Sequence, residues 1–140
     1  MANTNSSQIT AMNAGTYIGS NESHGRQRIA YFSVAAVPTA GTGDTMTLCK
    51  LPKGARVVGG EFVFSVAQGA TATTAIGISG STGKYRAAAV TNATTKFTDI
   101  ANTSATYGLQ TSAEETVIAT NAAAAWTAAL FAGHIKYVVD

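Results

Sequence analysis

The chain has 140 residues and a mass of 14.2 kDa, the size of one domain. Nine Lys/Arg and seven Asp/Glu leave it 11 % charged, against roughly 25 % for an average soluble domain, while 27 Ala, 21 Thr and 14 Gly fill more than two-fifths of it. This excludes charge-driven disorder, since mean hydropathy is +0.13; a coiled coil, which needs Glu, Lys and Leu; and a disulfide scaffold, since Cys49 is the single cysteine.

The first region, residues 1–28, is rich in Asn, Ser and Thr. Its sizeable apolar groups are Ile9, Met12, Tyr17 and Ile18, and no strand or helix period runs through it. It reads as an extended N-terminal arm. Packing on its own domain or clamping by a neighbouring subunit would order it. Met1–Thr10 lacks a basic stretch and an apolar run, so no secretory signal is expected there.

Residues 29–140 read as short strands between turn residues. Ile29–Val37 is rich in β-formers and ends at Pro38. Thr45–Leu51 alternates, with Met46 and Leu48 on one face. Pro52-Lys53-Gly54 is a turn. Ala55–Val66 carries the strongest signal, with Val58, Phe62, Phe64 and Val66 on the face expected to be core, joined by Ile76 and Ile78. Gly59-Gly60 within it predicts a bulge or a close backbone approach.

Thr73–Ser79 follows, then a turn at Gly80–Gly83 and a strand over Lys84–Val90. Phe97–Ile100 and Thr106–Leu109 are weaker strand signals, and Thr116–Thr120 and His134–Val139 are the last two. Ser112-Ala113-Glu114-Glu115 fits a capping box, and Asn121 ahead of Ala122–Ala125 fits a helix cap. That helix would have only about three turns, so 112–132 is read as loop with a short helix as the competing form. The whole is all-β: a single β-sandwich or jelly-roll-like domain behind an extended arm.

Chemistry-bearing patterns are absent where they would be needed. The net charge of +2 is spread thinly, with an excess of +3 in the first 60 residues and −1 in the rest, so no basic face for nucleic acid is expected. No apolar run reaches the ~18 residues of a membrane helix. Two distant histidines, His24 and His134, with one cysteine do not make a structural zinc site. No G-x-S-x-G elbow marks a hydrolase serine.

The run Gly77–Lys84 resembles a phosphate loop but has Ile78 and Tyr85 where Gly and Ser/Thr are required. Cys49 reads as a small buried hydrophobe. Glu114, Glu115 and Asp99 read as solvated acids without the companions that calcium needs. No catalytic residue, cofactor or metal is expected, and the chain is read as a non-enzyme.

The run Cys49-Lys-Leu-Pro-Lys-Gly-Ala-Arg-Val-Val-Gly-Gly-Glu-Phe-Val-Phe64, the hairpin Ile76–Tyr85 and the closing strand Gly133–Val139 resemble segments of small virion proteins of tailed bacteriophages. The resemblance spans residues 45–140. It implies a decoration or cement protein on the capsid exterior, often a homotrimer, with the major capsid protein as partner and no small-molecule substrate. A modest core with an uncharged surface is consistent with a chain that gains stability between subunits. Tyr17, Ile18, Arg26 and Arg28 are the expected partner contacts, the two arginines reaching for an acidic patch. Two other functions compete. One is a head–tail connector or tail protein. The other is a carbohydrate-binding sandwich using Trp126, Tyr85, Tyr107 or Tyr137 as exposed platforms.

Overall fold

A computed structural model describes residues 9–10, 13–15 and 26–139. Seven strands form in order: β1 Gln27–Val34, β2 Thr45–Leu51, β3 Arg56–Phe64, β4 Thr73–Ile78, β5 Ser81–Val90, β6 Glu115–Asn121 and β7 Phe131–Val138. They build two antiparallel sheets, β1-β7-β3 and β2-β6-β4-β5. The sheets face each other as a β-sandwich, the architecture expected from evenly spaced strand signals. Among the described residues no helix is long and apolar enough to cross a membrane.

The core lies between the sheets. Phe32, Phe62, Phe64, Phe131 and Ile135 enter from the three-stranded sheet, and Met46, Leu51, Ile76, Tyr85 and Val117 from the other. Phe131 is the hub: its ring centroid lies 4.8 Å from Phe64, 5.4 Å from Phe62 and 5.5 Å from Phe32, distances at which aromatic pairs add to burial. Six buried alanines fill the remaining space (Ala55, Ala72, Ala75, Ala101, Ala119 and Ala129). The Ala-rich composition is thus partly a close-packing device, since small side chains let the sheets approach.

Two glycines set the centre of the three-stranded sheet. Gly133 pairs with Phe32 on one side and Phe62 on the other. A Cβ there would stand 2.2 Å from the Glu61 carbonyl oxygen and 2.7 Å from the Phe62 Cα. The Gly59-Gly60 expectation holds in both its forms. Register slips between Val57 and Gly59, with Gly59 at φ +154°, and a Cβ on Gly60 would meet the His134 carbonyl oxygen at 2.6 Å.

The bulge changes which side chains are core. An extra residue reverses the alternation on its N-terminal side. Val57 is therefore fully buried, while the expected core residue Val58 is only half-buried. Val66 is exposed because β3 ends at Phe64, and Ile78 packs on the core margin. At the other end of the chain's first strand, β1 stops at Val34 rather than Val37. Val37 instead bends inward, buried, and donates its N–H to the Ala129 carbonyl. The β4–β5 hairpin turns at Ser79-Gly80, so Ser81–Gly83 belong to β5 rather than to the turn.

Three weaker expectations resolve in the 91–130 region. Phe97 makes a single bridge to Phe62 rather than founding a strand. Thr106 and Tyr107 donate their N–H groups to the Thr103 carbonyl, so 103–108 is a turn and not a strand. The short helix does not form. Val117 and Ala119 alternate into the core within β6, and Asn121 ends that strand, its Nδ2 donating to the Gly41 carbonyl at 2.8 Å while its Oδ1 is buried without a partner. Tertiary pairing outweighs local alanine propensity there.

Candidate partner interface

Of the residues expected at the interface, Tyr17 and Ile18 lie outside the described residues. Arg26 directly precedes β1 and is exposed; Arg28 lies in β1, also exposed, in register with Tyr137. The arginines thus stand at the start of a sheet edge. Next to them the same strand shows Ile29 at 61 % and Tyr31 at 69 % exposure, the largest values among the exposed apolar side chains apart from Tyr107.

The register carries this surface across the sheet. Tyr31 pairs with His134, and His134 pairs with Glu61, so three polar side chains line up on the outer face. Lys96 joins from the β5–β6 connection, with Nζ 3.2 Å from Glu61 Oε1. His134 Nδ1 lies 4.0 Å from the same oxygen, and its Nε2 is buried without a hydrogen-bond partner. These side chains, with Val63 and Ala132, border a shallow pocket of about 170 Å³. Sequence reasoning missed this row because Tyr31, Glu61 and His134 are far apart in the chain. Only the pairing register of β7 between β1 and β3 aligns them.

Of the acids expected to be solvated, Glu114 is exposed, while Glu115 and Asp99 are drawn into less exposed pairs. Glu115 accepts from the Tyr85 hydroxyl at 2.5 Å and from Lys84 Nζ at 2.5 Å, and Glu114 from Lys50 Nζ at 3.2 Å. Asp99 accepts from Arg86 Nε at 2.7 Å. Each carboxylate has its own cation, and among the described residues no three His, Cys, Asp or Glu converge on a metal-sized site. Burial, reinforced by the Glu115 hydrogen bond and charge, pushes the Tyr85 hydroxyl well above its usual range.

Arg86 is itself buried, lies 5.0 Å over the Phe62 ring, and donates from Nη1 to the Thr74 carbonyl. A second hollow of about 200 Å³ opens beside it, between β5 and the 99–106 segment.

The sugar-platform reading loses two of its aromatics. Trp126 is buried, its Nε1 donating to Thr74 Oγ1 at 3.1 Å, and Tyr85 is fully buried. Tyr107 is exposed and Tyr137 packs at the core margin, so the four do not form a platform.

Cys49, expected to be buried, is half-buried at the core margin. Burial pushes its thiol from 9.0 up to about 11. Two units leave about one-hundredth of the thiolate that a free cysteine has below pH 9. At pH 8 its reaction with a disulfide reagent is therefore expected to be at least about a hundredfold slower in the folded chain than in guanidinium. Equal rates, followed by absorbance of the released thiol, would refute the burial. The same sign makes alkali destabilising: a thiol raised on folding contributes stability below pH 9 that is lost as pH climbs toward about 11.

No protein-family model matches the chain, and no curated protein sequence matches it. Solved structures do share its fold. A chain of the capsid asymmetric unit of cyanophage Pam1 superposes with a TM-score of 0.60 at 23 % identity, over 83 % of this chain and 86 % of that one. A chain of the capsid of Ralstonia phage GP4 gives 0.64 at 21 % identity, over 83 % and 86 %. A chain of the acid-stable capsid of Helicobacter pylori bacteriophage KHP30 gives 0.60 at 14 % identity, over 83 % and 90 %. The shared feature is the fold, and it extends over nearly the whole of each partner chain.

Proposed function

We propose that this chain is a bacteriophage virion protein that decorates and cements a capsid, bridging neighbouring capsid subunits from outside and doing no catalysis. The observation that carries the reading is the fold likeness to chains of three phage capsid structures, over 83 % of this chain and at least 86 % of each of theirs. The likeness thus extends over most of each of those chains.

The physical properties agree. A surface poor in charge removes the repulsion that keeps proteins apart. Exposed Ile29 and Tyr31 beside Arg26 and Arg28 make an apolar patch with a cationic rim, the composition of a contact surface. The mechanism is mechanical: each bound copy adds its interface energy to the work of separating two subunits. Arm residues Tyr17 and Ile18, with Arg26 and Arg28, serve as the strap.

The test is retention on particles. Deleting residues 1–25 leaves β1 whole, since it begins at Gln27. The truncated chain is expected to keep its melting temperature yet bind stripped capsids at least about tenfold more weakly, the loss that ~1.4 kcal/mol of contact represents. Unchanged binding would refute the strap, and a full-length chain that ignores capsids would refute the whole reading. Copy number per particle distinguishes a decoration, one per lattice position, from a single connector ring.

A further inference from the structure

Four strands have a side with no strand beside it: β1 and β3 close the three-stranded sheet, β2 and β5 the four-stranded one. A bare edge offers unpaired N–H and C=O groups to any passing strand, and proteins blunt it with bulges, charges or cover.

Three of these edges are blunted. The Val57/Gly59 bulge interrupts β3, and the 97–110 segment covers it through the Phe62–Phe97 and Arg56–Gln110 bridges. A bulge between Thr47 and Cys49 breaks β2, which also exposes Lys50. Register shifts twice along β5, and Ala101 caps it by donating to the Tyr85 carbonyl. No bulge, bridge or mid-strand charge blunts β1, although β2 of the other sheet runs close beside it. β1 runs unbroken against β7 over all eight residues, carries no charge from Ile29 to Val34, and exposes Ile29 and Tyr31. Among the described residues β7 is its one pairing strand.

We infer that β1 is a self-association edge: a second copy of this chain pairs with it antiparallel about a two-fold axis at Ala30, joining two three-stranded sheets into one of six. The geometry selects this occupant. Partners in an antiparallel ladder both aim their backbone groups at each other or both away. Neighbouring residues alternate, so about a two-fold axis odd residues meet odd and even meet even. Centred on Ala30, Ile29 falls opposite Tyr31 of the second copy, and Tyr31 opposite its Ile29. Both large apolar side chains that β1 leaves exposed are covered, as aromatic against β-branched pairs on one face.

Charge agrees. Arg28 falls opposite Phe32 and Arg26 opposite Val34 of the second copy, so no two cations face each other. A foreign strand would need this match built into it, whereas the second copy carries it already. The inference assigns the Ile29/Tyr31 patch to a second copy rather than to a capsid subunit, and its two-fold symmetry differs from the threefold arrangement that the sequence resemblance implies.

Sedimentation velocity of the full chain over a concentration series tests it, beside I29K/Y31K. Wild type is expected to dimerise, and the variant's dimer dissociation constant to rise about a hundredfold, with two pairs lost and four cations brought together. Both side chains are exposed, so its circular dichroism is expected to match wild type. If the variant fails to fold, oxidative cross-linking decides. I29C/Y31C is expected to give a covalent dimer and Y31C alone none, because Tyr31 does not face itself in this register. A wild-type monomer at every concentration, a trimer, or an oligomer indifferent to I29K/Y31K would overturn the proposal. So would a monomer that binds stripped capsids and loses that binding in I29K/Y31K, since the edge would then serve a capsid strand instead.

Discussion

Gly133→Ala is expected to cost about 3 kcal/mol, the upper part of the range for overpacking, and to lower the melting temperature by roughly 10 °C for a domain of this size. The reason is the identity of the atoms in the way. The new methyl would stand 2.2 Å from a backbone oxygen and 2.7 Å from a Cα of β3, and backbone cannot rotate aside as a side chain can. The sheet must open between β7 and β3, where Phe62 and Phe131 pack at 5.4 Å. Gly69→Ala is the control, because a Cβ there meets nothing within 4 Å. Equal melting temperatures for the two variants would show that β7 does not pass this close to β3.

The second large effect belongs to Arg86, at 3 % exposure. Its Nε holds Asp99, its Nη1 holds the Thr74 carbonyl, and its guanidinium lies over Phe62 and Phe97 at 5.0 and 5.9 Å. A buried cation is tolerable only when its partners are all in place. Arg86→Ala leaves a cavity, an unsatisfied carbonyl and a lone carboxylate, and is expected to cost about 4 kcal/mol. Arg86→Met refills much of the volume and should cost about half of that.

Asp99→Ala should cost about 2 kcal/mol, less than a fully buried partner, because the Asp99 side chain is 35 % exposed. Urea unfolding of the double variant checks the coupling. R86M/D99A should be clearly more stable than the two single losses added together, since the second change removes a charge already orphaned. Strict additivity would mean that the pair does not act as a unit. The structural consequence is local: Arg86 ties the long β5–β6 connection, through Phe97 and Asp99, onto the edge strand β3.

Legibility varied with the range of the interaction. The bounds of Thr45–Leu51 were readable to the residue, because an alternating run between Asp44 and Pro52 is a local signal, but the bulge between Thr47 and Cys49 that breaks the alternation was not. Gly59-Gly60 predicted its bulge for the same reason. The faces of β3 were half wrong, since a bulge's place in the sequence is visible but the partner that fixes its phase is not. Asn121 shows the opposite case. Its neighbours Ala122–Ala125 favour helix, yet its side chain is spent on Gly41, 80 residues earlier.

The candidate interface divides the same way. Arg26 and Arg28 were legible as a local charge pair, but Ile29 and Tyr31 were only part of an apolar strand signal with no face assigned, and the pairing with β7 turns them outward. The pairing of Tyr31, His134 and Glu61 in one row had no sequence signal, nor did the burial of Arg86 or the capture of Glu115 by Tyr85 and Lys84.

The sequence alone determined the class of protein. Sparse charge, abundant Thr, Ala and Gly, and strand-length alternation are summed over many residues, and such sums survive local errors. They point to an all-β domain with a modest core. Tertiary structure alone decided which strand ends a sheet, which valine turns inward, and which acid meets which cation. Those outcomes depend on register between strands dozens of residues apart, and a one-residue slip exchanges the two faces of a strand. The scarcity of charge carries a sharper meaning as a result. Charge closes a buried pair at Arg86–Asp99 and stands on the edge strand β2 at Lys50, while β1 carries it only at its start, at Arg28.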